Sequence, residues 1–294
     1  MKVLVTGATG YLGWRTTTLL RERGHDVVAL KRPGARERAA SRDLDAIAMD
    51  AGDPAARDLV AGCAAVLHFA GVPDPARARE DPAAAVRENT GTTLNLLEAC
   101  LAHGAGLVLP SSARAGLDPP PDPYAMSKRL AEEACLLHPA PATVLRLTSV
   151  FGPGQVRWEG ATGAIAAFAA RAIEGRPIVI PGDPRRTRDF LYVDDLVDAI
   201  AAHVEAGAFG GVLDAGSGVA SALEDVARLV CRSLGIPERI ELPGGELPPG
   251  EDASYGLDPD RARLELRARP LPDAVDAYVA WLRRHPAAQG RGPS

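Results

Sequence analysis

Tyr124-Ala-Met-Ser-Lys128 sets a phenol and an ammonium at i and i+4, on one face of a helix. A free phenol has a pKa near ~10, too high for easy proton exchange at neutral pH. An ammonium about 5 Å away contributes roughly 3 kcal/mol at an effective dielectric of ~20. That is enough to lower the phenol by about two units, and the same ammonium can bind the ribose hydroxyls beside a nicotinamide ring. Upstream, Leu109-Pro-Ser-Ser112 ends an apolar run with two hydroxyls. Either Ser111 or Ser112 could hydrogen-bond a substrate oxygen next to the phenol, or simply cap the loop, and Ser112 is preferred. The pattern is equipment for moving a proton while a hydride moves.

Such a pair needs a cofactor beside it, and Thr6-Gly-Ala-Thr-Gly-Tyr-Leu-Gly13 is built to hold one. Gly7, Gly10 and Gly13 follow a strand and open a helix, the context a phosphate-binding turn requires. Glycine permits a positive φ and removes the Cβ that would block a pyrophosphate, and the helix N-terminus supplies free N–H groups. The second strand, ending Leu30-Lys31-Arg32-Pro33 with Arg36 close behind, carries no carboxylate at its tip. Cations there suit the 2′-phosphate of NADP, so NADP(H) is favoured over NAD(H). A solvated basic loop is the plain alternative. Asp50 closes the third strand and could touch the adenine amine or serve only as a turn residue. Asn89 could hydrogen-bond near the lysine or start a helix. His68 reads as a satisfied buried histidine.

The elements that must position these groups alternate. Strands are expected at Lys2–Val5, Asp26–Leu30, Ala46–Met49, Ala65–His68, Leu107–Leu109 and Ala142–Leu147. Helical windows lie near Leu12–Arg23, Ala55–Ala61, Val86–His103 and Ala125–His138. Six strands joined by crossover helices make an α/β, doubly wound parallel sheet. After Phe151-Gly-Pro-Gly154 the composition changes to a helix over Thr162–Glu174 and a short strand over Pro177–Ile180. The Pro- and Gly-rich stretches Asp118–Pro123 and Leu242–Gly250 read as loops, and Pro286–Ser294 as a frayed tail. The expected division is a dinucleotide-binding domain over 1–152 and 189–215, and a smaller α/β substrate domain over 153–188 and 216–285.

The 294 residues carry a net charge of −5, which argues against nucleic acid as a partner. The N-terminus enters a strand pattern at once, so no signal peptide is expected, and no apolar run approaches the ~20 residues that span a bilayer. Cys63, Cys100, Cys135 and Cys231 lie far apart with no CxxC, so reduced packing residues and no metal are expected. A cytoplasmic protein follows from these readings.

Together these segments resemble the extended short-chain dehydrogenase/reductases, in particular the NAD-dependent epimerase/dehydratase family acting on nucleotide sugars. The resemblance rests on Thr6–Gly13, Val66-Leu-His-Phe-Ala70, Asn89–Glu98, Pro123–Lys128, Leu145-Arg146 with Gly152-Pro153, Arg188-Asp-Phe-Leu-Tyr-Val-Asp-Asp195 and Leu213–Gly218. It implies a Rossmann domain, a homodimer formed through the helices near Val86–His103 and Ala125–His138, and catalysis by Ser112 or Ser111 with Tyr124 and Lys128. It further implies cofactor contacts from Thr9, Tyr11 and Leu12 in the glycine turn, from Lys31, Arg32, Asp50 and Ala51, and from Phe69, Ala70, Gly71 and Asn89. Ser149 and Arg188 would meet the substrate, Arg188 facing its phosphate or forming an internal ion pair.

Departures carry information. Ala113-Arg-Ala-Gly116 is about one residue shorter than the usual Val-Tyr-Gly segment, and Ser112-Ala-Arg114 stands where sugar dehydratases carry Thr-Asp-Glu. Ser149 and Asp214 replace expected asparagines. Dehydration is therefore disfavoured. The main reading is reduction of a keto group on a nucleotide-linked deoxysugar, or another small carbonyl, with Tyr124 as general acid. A nucleotide-sugar 4-epimerase with tightly bound NAD is the alternative, and a non-catalytic NADP-binding sensor a minor one.

Overall fold

A computed structural model describes the chain apart from residues 36, 37, 157–162, 248–253, 255, 259 and 286–294. Arg36, the first residue of the Thr162–Glu174 window, the end of the Leu242–Gly250 loop and the Pro286–Ser294 tail lie outside the described residues. In chain order the strands are β1 (Lys2–Thr6), β2 (Asp26–Lys31), β3 (Ile47–Ala48), β4 (Ala65–His68), β5 (Gly106–Ser112) and β6 (Ala142–Leu147). There follow β7 (Ser149–Phe151), β8 (Ile178–Pro181), β9 (Thr187–Tyr192), β10 (Val212–Ala215), β11 (Ala220–Ala222) and β12 (Ile240–Gly244). The helices are α1 (Tyr11–Glu22), α2 (Pro75–Glu80), α3 (Pro82–Val86), α4 (Thr92–His103) and α5 (Pro123–Leu137). After them come α6 (Ala164–Ile173), α7 (Val193–Ala206), α8 (Leu223–Leu234) and α9 (Leu271–Arg284).

Two compact units form. The first comprises Met1–Leu147, Val197–Ala215 and Pro259–Leu266. Its sheet is parallel, in the order β10-β6-β5-β4-β1-β2-β3. Val3, Leu4 and Val5 are completely buried, as are Val66, Leu107 and Val144. Strands covered on both faces by crossover helices read as continuous apolar runs, which is why the sequence pattern located them. All six expected strands form. A seventh, β10, pairs alongside β6 from Val212↔Val144 to Ala215↔Leu147; four residues gave too short a pattern to be read as part of this sheet.

Two helical windows differ from expectation. Over Pro54–Val60 the chain makes a 3₁₀ segment, started by Asp53, whose side chain accepts from the Ala55 amide. The Val86–His103 window is broken by a π-helical turn over Arg87–Gly91 before α4 begins. Thr92 and Thr93 donate their hydroxyls to the carbonyls of Glu88 and Asn89 at this turn, a local competition that loosens the regular ladder. That wider turn, of a kind frequent at functional sites, carries Glu88 and Asn89. Among the described residues no helix is long and apolar enough to cross a membrane. The four cysteines are buried free thiols, and burial pushes Cys100 and Cys135 up to about 12.

The second unit comprises Thr148–Leu196, Gly216–Asp258 and the chain from Arg267 on. Its sheets are β11-β9-β7 and β12-β8. The core is aromatic: Phe151 meets Phe190, Tyr192 and Tyr278 edge-on at centroid distances of 6.2, 5.7 and 6.1 Å. Residues 148–152 and 189–196 thus group here rather than with the first unit, because β7 pairs with β9 and β9 with β11. Pro259–Leu266 groups with the first unit, where the Asp214 amide of β10 donates to the Ala262 carbonyl and the Leu264 amide donates back to the Asp214 carbonyl, each at 2.9 Å.

Asp189, on β9, is almost fully buried and organises this unit. Its carboxylate accepts from the amides of Ser217 and Gly218, each at 2.8 Å, and from the Ser217 hydroxyl at 2.7 Å. Nearby, Asp195 accepts from the Arg269 amide and guanidinium, and that guanidinium lies 4.2 Å from the Tyr192 ring centroid. Replacing Asp189 with Ala leaves two part-buried amides and a hydroxyl without their acceptor. It should cost about 2–4 kcal/mol of stability, read as a lower urea midpoint with unchanged slope.

Candidate active site

The glycine turn follows β1 and shows why small residues stand there. Gly7 adopts φ +65, and a Cβ on it would lie 2.7 Å from the backbone of Phe69 and Ala70 at the end of β4. A Cβ on Gly13 would strike the Gly7 carbonyl oxygen at 2.2 Å. Gly10, by contrast, is exposed at the mouth of α1, with its amide turned back to the Gly7 carbonyl at 2.9 Å. The turn therefore closes tightly against β4 and leaves the start of a twelve-residue helix open. It sits between β1 and β4, where the strand order reverses and ligands of doubly wound sheets bind. This cradle fits a pyrophosphate, because the helix N-terminus offers amides and the exposed Gly10 adds no side chain there.

Around the turn, Thr9 is buried, and its carbonyl accepts from the Ser41 hydroxyl. Tyr11, Leu12, Phe69, Ala70 and Gly71 are half-buried beside it, and Ala51 is buried after β3. Lys31 closes β2 in register with Ala48 of β3. Arg32 is engaged: its guanidinium donates to Glu88 at 2.8 Å and lies 3.3 Å from Asp50. The hydrogen bond with Glu88 raises the Arg32 pKa above its ordinary value against the cost of burial, and Asp50 adds to this. Asp50 also accepts from the Gly52 amide at 2.8 Å, the turn role weighed from sequence.

On α5, Asp122 caps the helix by accepting from the Ala125 amide, and Pro123 opens its first turn. Arg114, from the loop after Ser112, donates to Asp122. Tyr124 is half-buried and packs on Val72, Ala78 and Ala85. One turn on, the Lys128 ammonium donates to the Pro110 carbonyl at 3.1 Å, which ties α5 to the end of β5. Its amine is withdrawn from water, and that desolvation lowers its pKa to about 8, with Glu132 opposing.

The two serines separate. Ser111 is buried and donates to Glu132; Ser112 is half-buried at the end of β5 and accepts from the Arg114 amide at 3.2 Å. Glu132, itself buried, is also held by Arg146, whose guanidinium donates at 2.6 and 3.1 Å. Burial works against the Arg146 charge, but Glu132 and Asp214 raise its pKa above the ordinary value. Asp214, in the position of the expected asparagine, pairs with Arg261 at 3.2 Å. Sequence reasoning passed over Glu132, although Tyr124, Lys128 and Glu132 continue one i, i+4 series; Glu88, adjacent to the chosen Asn89, carried no such spacing signal.

Asn89 bridges elements within this unit. Its side chain accepts from the Val72 amide at 2.8 Å and donates to the Ser127 hydroxyl at 2.8 Å. Ser127 in turn donates to the Tyr124 carbonyl, so Asn89 acts on the turn that presents the phenol rather than on the lysine. His68 lies between Thr6, at 2.7 Å, and Thr92, at 3.2 Å, and burial first, then Lys128, lowers its pKa to about 3. It is a neutral packing histidine. In the second unit, Ser149 starts β7 opposite Phe190, and Arg188 is buried on β9 with its guanidinium donating to the Thr187 carbonyl at 2.8 Å.

The Gly13 contact is the most exacting of these. Gly13→Ala should weaken dinucleotide binding at least roughly tenfold, since the turn must open to admit a methyl group. Fluorescence titration with reduced nucleotide measures this, and an unchanged affinity would remove the turn from the cofactor site.

Comparison with known proteins bears on the whole arrangement. Over 96% of its length and 96% of the relative's, the chain is 29% identical to dTDP-4-dehydro-6-deoxy-D-allose reductase of Streptomyces bikiniensis. It is 28% identical to UDP-glucose 4-epimerase of Mycolicibacterium smegmatis, covering 96% of this chain and 99% of that protein. The solved structure of MoeE5 in complex with UDP-glucose and NAD matches with a TM-score of 0.81 at 27% identity, over 97% of this chain and 99% of that one. Residues 3–216 match the NAD dependent epimerase/dehydratase family, and with the glycine cradle, the parallel sheet and the Tyr124–Lys128 helix in place the chain belongs to that family.

Proposed function

We propose that the protein reduces a keto group on a nucleotide-linked deoxysugar, using a nicotinamide dinucleotide. The observation that carries this reading is the Tyr124–Lys128 face of α5, whose ammonium is fixed at the Pro110 carbonyl beside two serines. The S. bikiniensis reductase, matched over nearly the full length of both chains, supports the reaction class. The bound nicotinamide supplies the hydride. Tyr124 donates the proton to the developing alkoxide. Lys128, charged at neutral pH, stabilises the phenolate left behind. Ser112 donates a hydrogen bond to the carbonyl oxygen, because Ser111 is committed to Glu132. Ser149 and Arg188 contact the sugar nucleotide.

The dinucleotide lies over Gly7, Gly10 and Gly13, with Lys31 and Arg32 toward its adenosine ribose, and NADP(H) is the favoured form. NAD bound to MoeE5 supports the cofactor class. A homodimer is part of the same reading: Leu94 and Leu101 on α4, and Met126, Leu130 and Leu137 on α5, leave 39–84% of their surface exposed. Such an apolar surface suits a second copy of the chain.

Tyr124→Phe should leave nucleotide affinity within about twofold and lower turnover of a nucleotide-linked 4-keto-6-deoxysugar by about 10³-fold or more. Ser112→Ala should cost about 10–10³-fold in kcat and Ser111→Ala far less. Full activity of Y124F, measured by oxidation of reduced nucleotide, would refute the assignment, and interconversion of C4 epimers with no net nucleotide oxidation would establish an epimerase instead. Because the Lys128 pKa is lowered to about 8, its cationic form is lost above that pH. Turnover at saturating nucleotide should decline on that alkaline side, and a rate flat to about pH 10 would exclude the ammonium from the chemistry.

A further inference from the structure

Arg32 follows β2, where the sequence places a reader of the adenosine 2′ position, yet it faces two carboxylates. Asp50, after β3, lies 3.3 Å from its Nε, and Glu88, on the π-helical turn, accepts from its terminal nitrogen at 2.8 Å. Asp50 is fixed by a second duty, accepting from the Gly52 amide. Glu88 is the less exposed of the two, with about a fifth of its side chain open, and Arg77 lies 3.7 Å from its other oxygen. The three groups rim an open depression of about 500 Å³, which Arg87 and Thr92 also line.

A guanidinium fork that binds one carboxylate in a directed hydrogen bond cannot offer the same N–H to a phosphate. A 2′-phosphate arriving at Arg32 must displace Glu88 or take the guanidinium's remaining N–H donors, and in either case bears the repulsion of both carboxylates at close range. A 2′-hydroxyl meets no such penalty, since a carboxylate can accept its proton in a hydrogen bond. Glu88 therefore opposes the preference that Lys31 and Arg32 confer.

We propose that Glu88 is a specificity-determining residue that competes with a 2′-phosphate for Arg32 and so sets the balance between NAD(H) and NADP(H). This rests on the dinucleotide reading given under the proposed function. The test is fluorescence titration of the intact protein with NADPH and with NADH, which needs no sugar substrate. Glu88→Gln keeps the side-chain shape and removes the charge. It should tighten NADPH binding roughly tenfold and leave NADH within about twofold. An unchanged ratio of the two affinities, or an equal shift in both, overturns the proposal.

Arg32→Gln gives an independent reading should the Glu88 variant fail to fold. In the native background, where Glu88 holds Arg32, its NADPH affinity should fall by no more than about threefold. A loss of about tenfold or more would make Arg32 an uncontested phosphate ligand and refute the competition. Combined with Glu88→Gln, Arg32→Gln should erase the gain. Binding of neither nucleotide by the native protein overturns the dinucleotide reading and this proposal with it. Binding of both, with no effect of Glu88, overturns this proposal alone.

Discussion

Lys128 is held by one hydrogen bond to the Pro110 carbonyl, and the geometry of the site follows from it. The bond joins the middle of α5, which carries Tyr124, to the end of β5, which carries Ser111 and Ser112. Withdrawing an ammonium from water is costly, and the lowered pKa of Lys128 records that cost. The cost is offset along the same helix face, where Glu132 favours the charged form. A lysine so placed stays cationic at neutral pH while remaining close to giving up its proton.

Glu132 is itself held by a second layer of charge. Arg146 reaches it from β6 and Ser111 from β5, and Asp214 on β10 adds to the field at Arg146 while pairing with Arg261. Buried ion pairs of this kind contribute less to stability than their number suggests, because desolvation consumes much of the Coulomb gain. Their value here is positional: three neighbouring strands and α5 are pinned at the carboxyl edge of one sheet. Asp214 in place of the family's asparagine belongs to this layer, since it answers Arg261 with a full charge.

At the opposite flank the constraints are steric. Gly7 and Gly13 have no room for a Cβ, and on the exposed Gly10 one would meet the Gly7 carbonyl oxygen at 3.2 Å. The spacing of three glycines after a strand was readable from the chain because each answers a local backbone demand. The same holds for the alternation of apolar runs, which located the six central strands, and for Tyr124 and Lys128, whose separation equals one helical turn. The π-helical turn at Arg87–Gly91 was not readable, because it arises from two threonine hydroxyls competing with the helix ladder. Without that turn Glu88 would not stand out, whereas Asn89 was already legible in the chain.

Local periodicity and composition determined by themselves the doubly wound sheet, the glycine turn and the placing of Tyr124 and Lys128 on one helix face, because those features are written in short-range spacing. Only the tertiary structure decided what each charged group spends its charge on. Arg32 answers Glu88 and Asp50, 56 and 18 positions away; Ser111 answers Glu132; Asn89 serves the turn of Tyr124; Asp189 gathers the loop at Ser217 and Gly218. Charges act across space, and a pairing between strands and helices far apart in the chain leaves no period in the sequence from which it could be read.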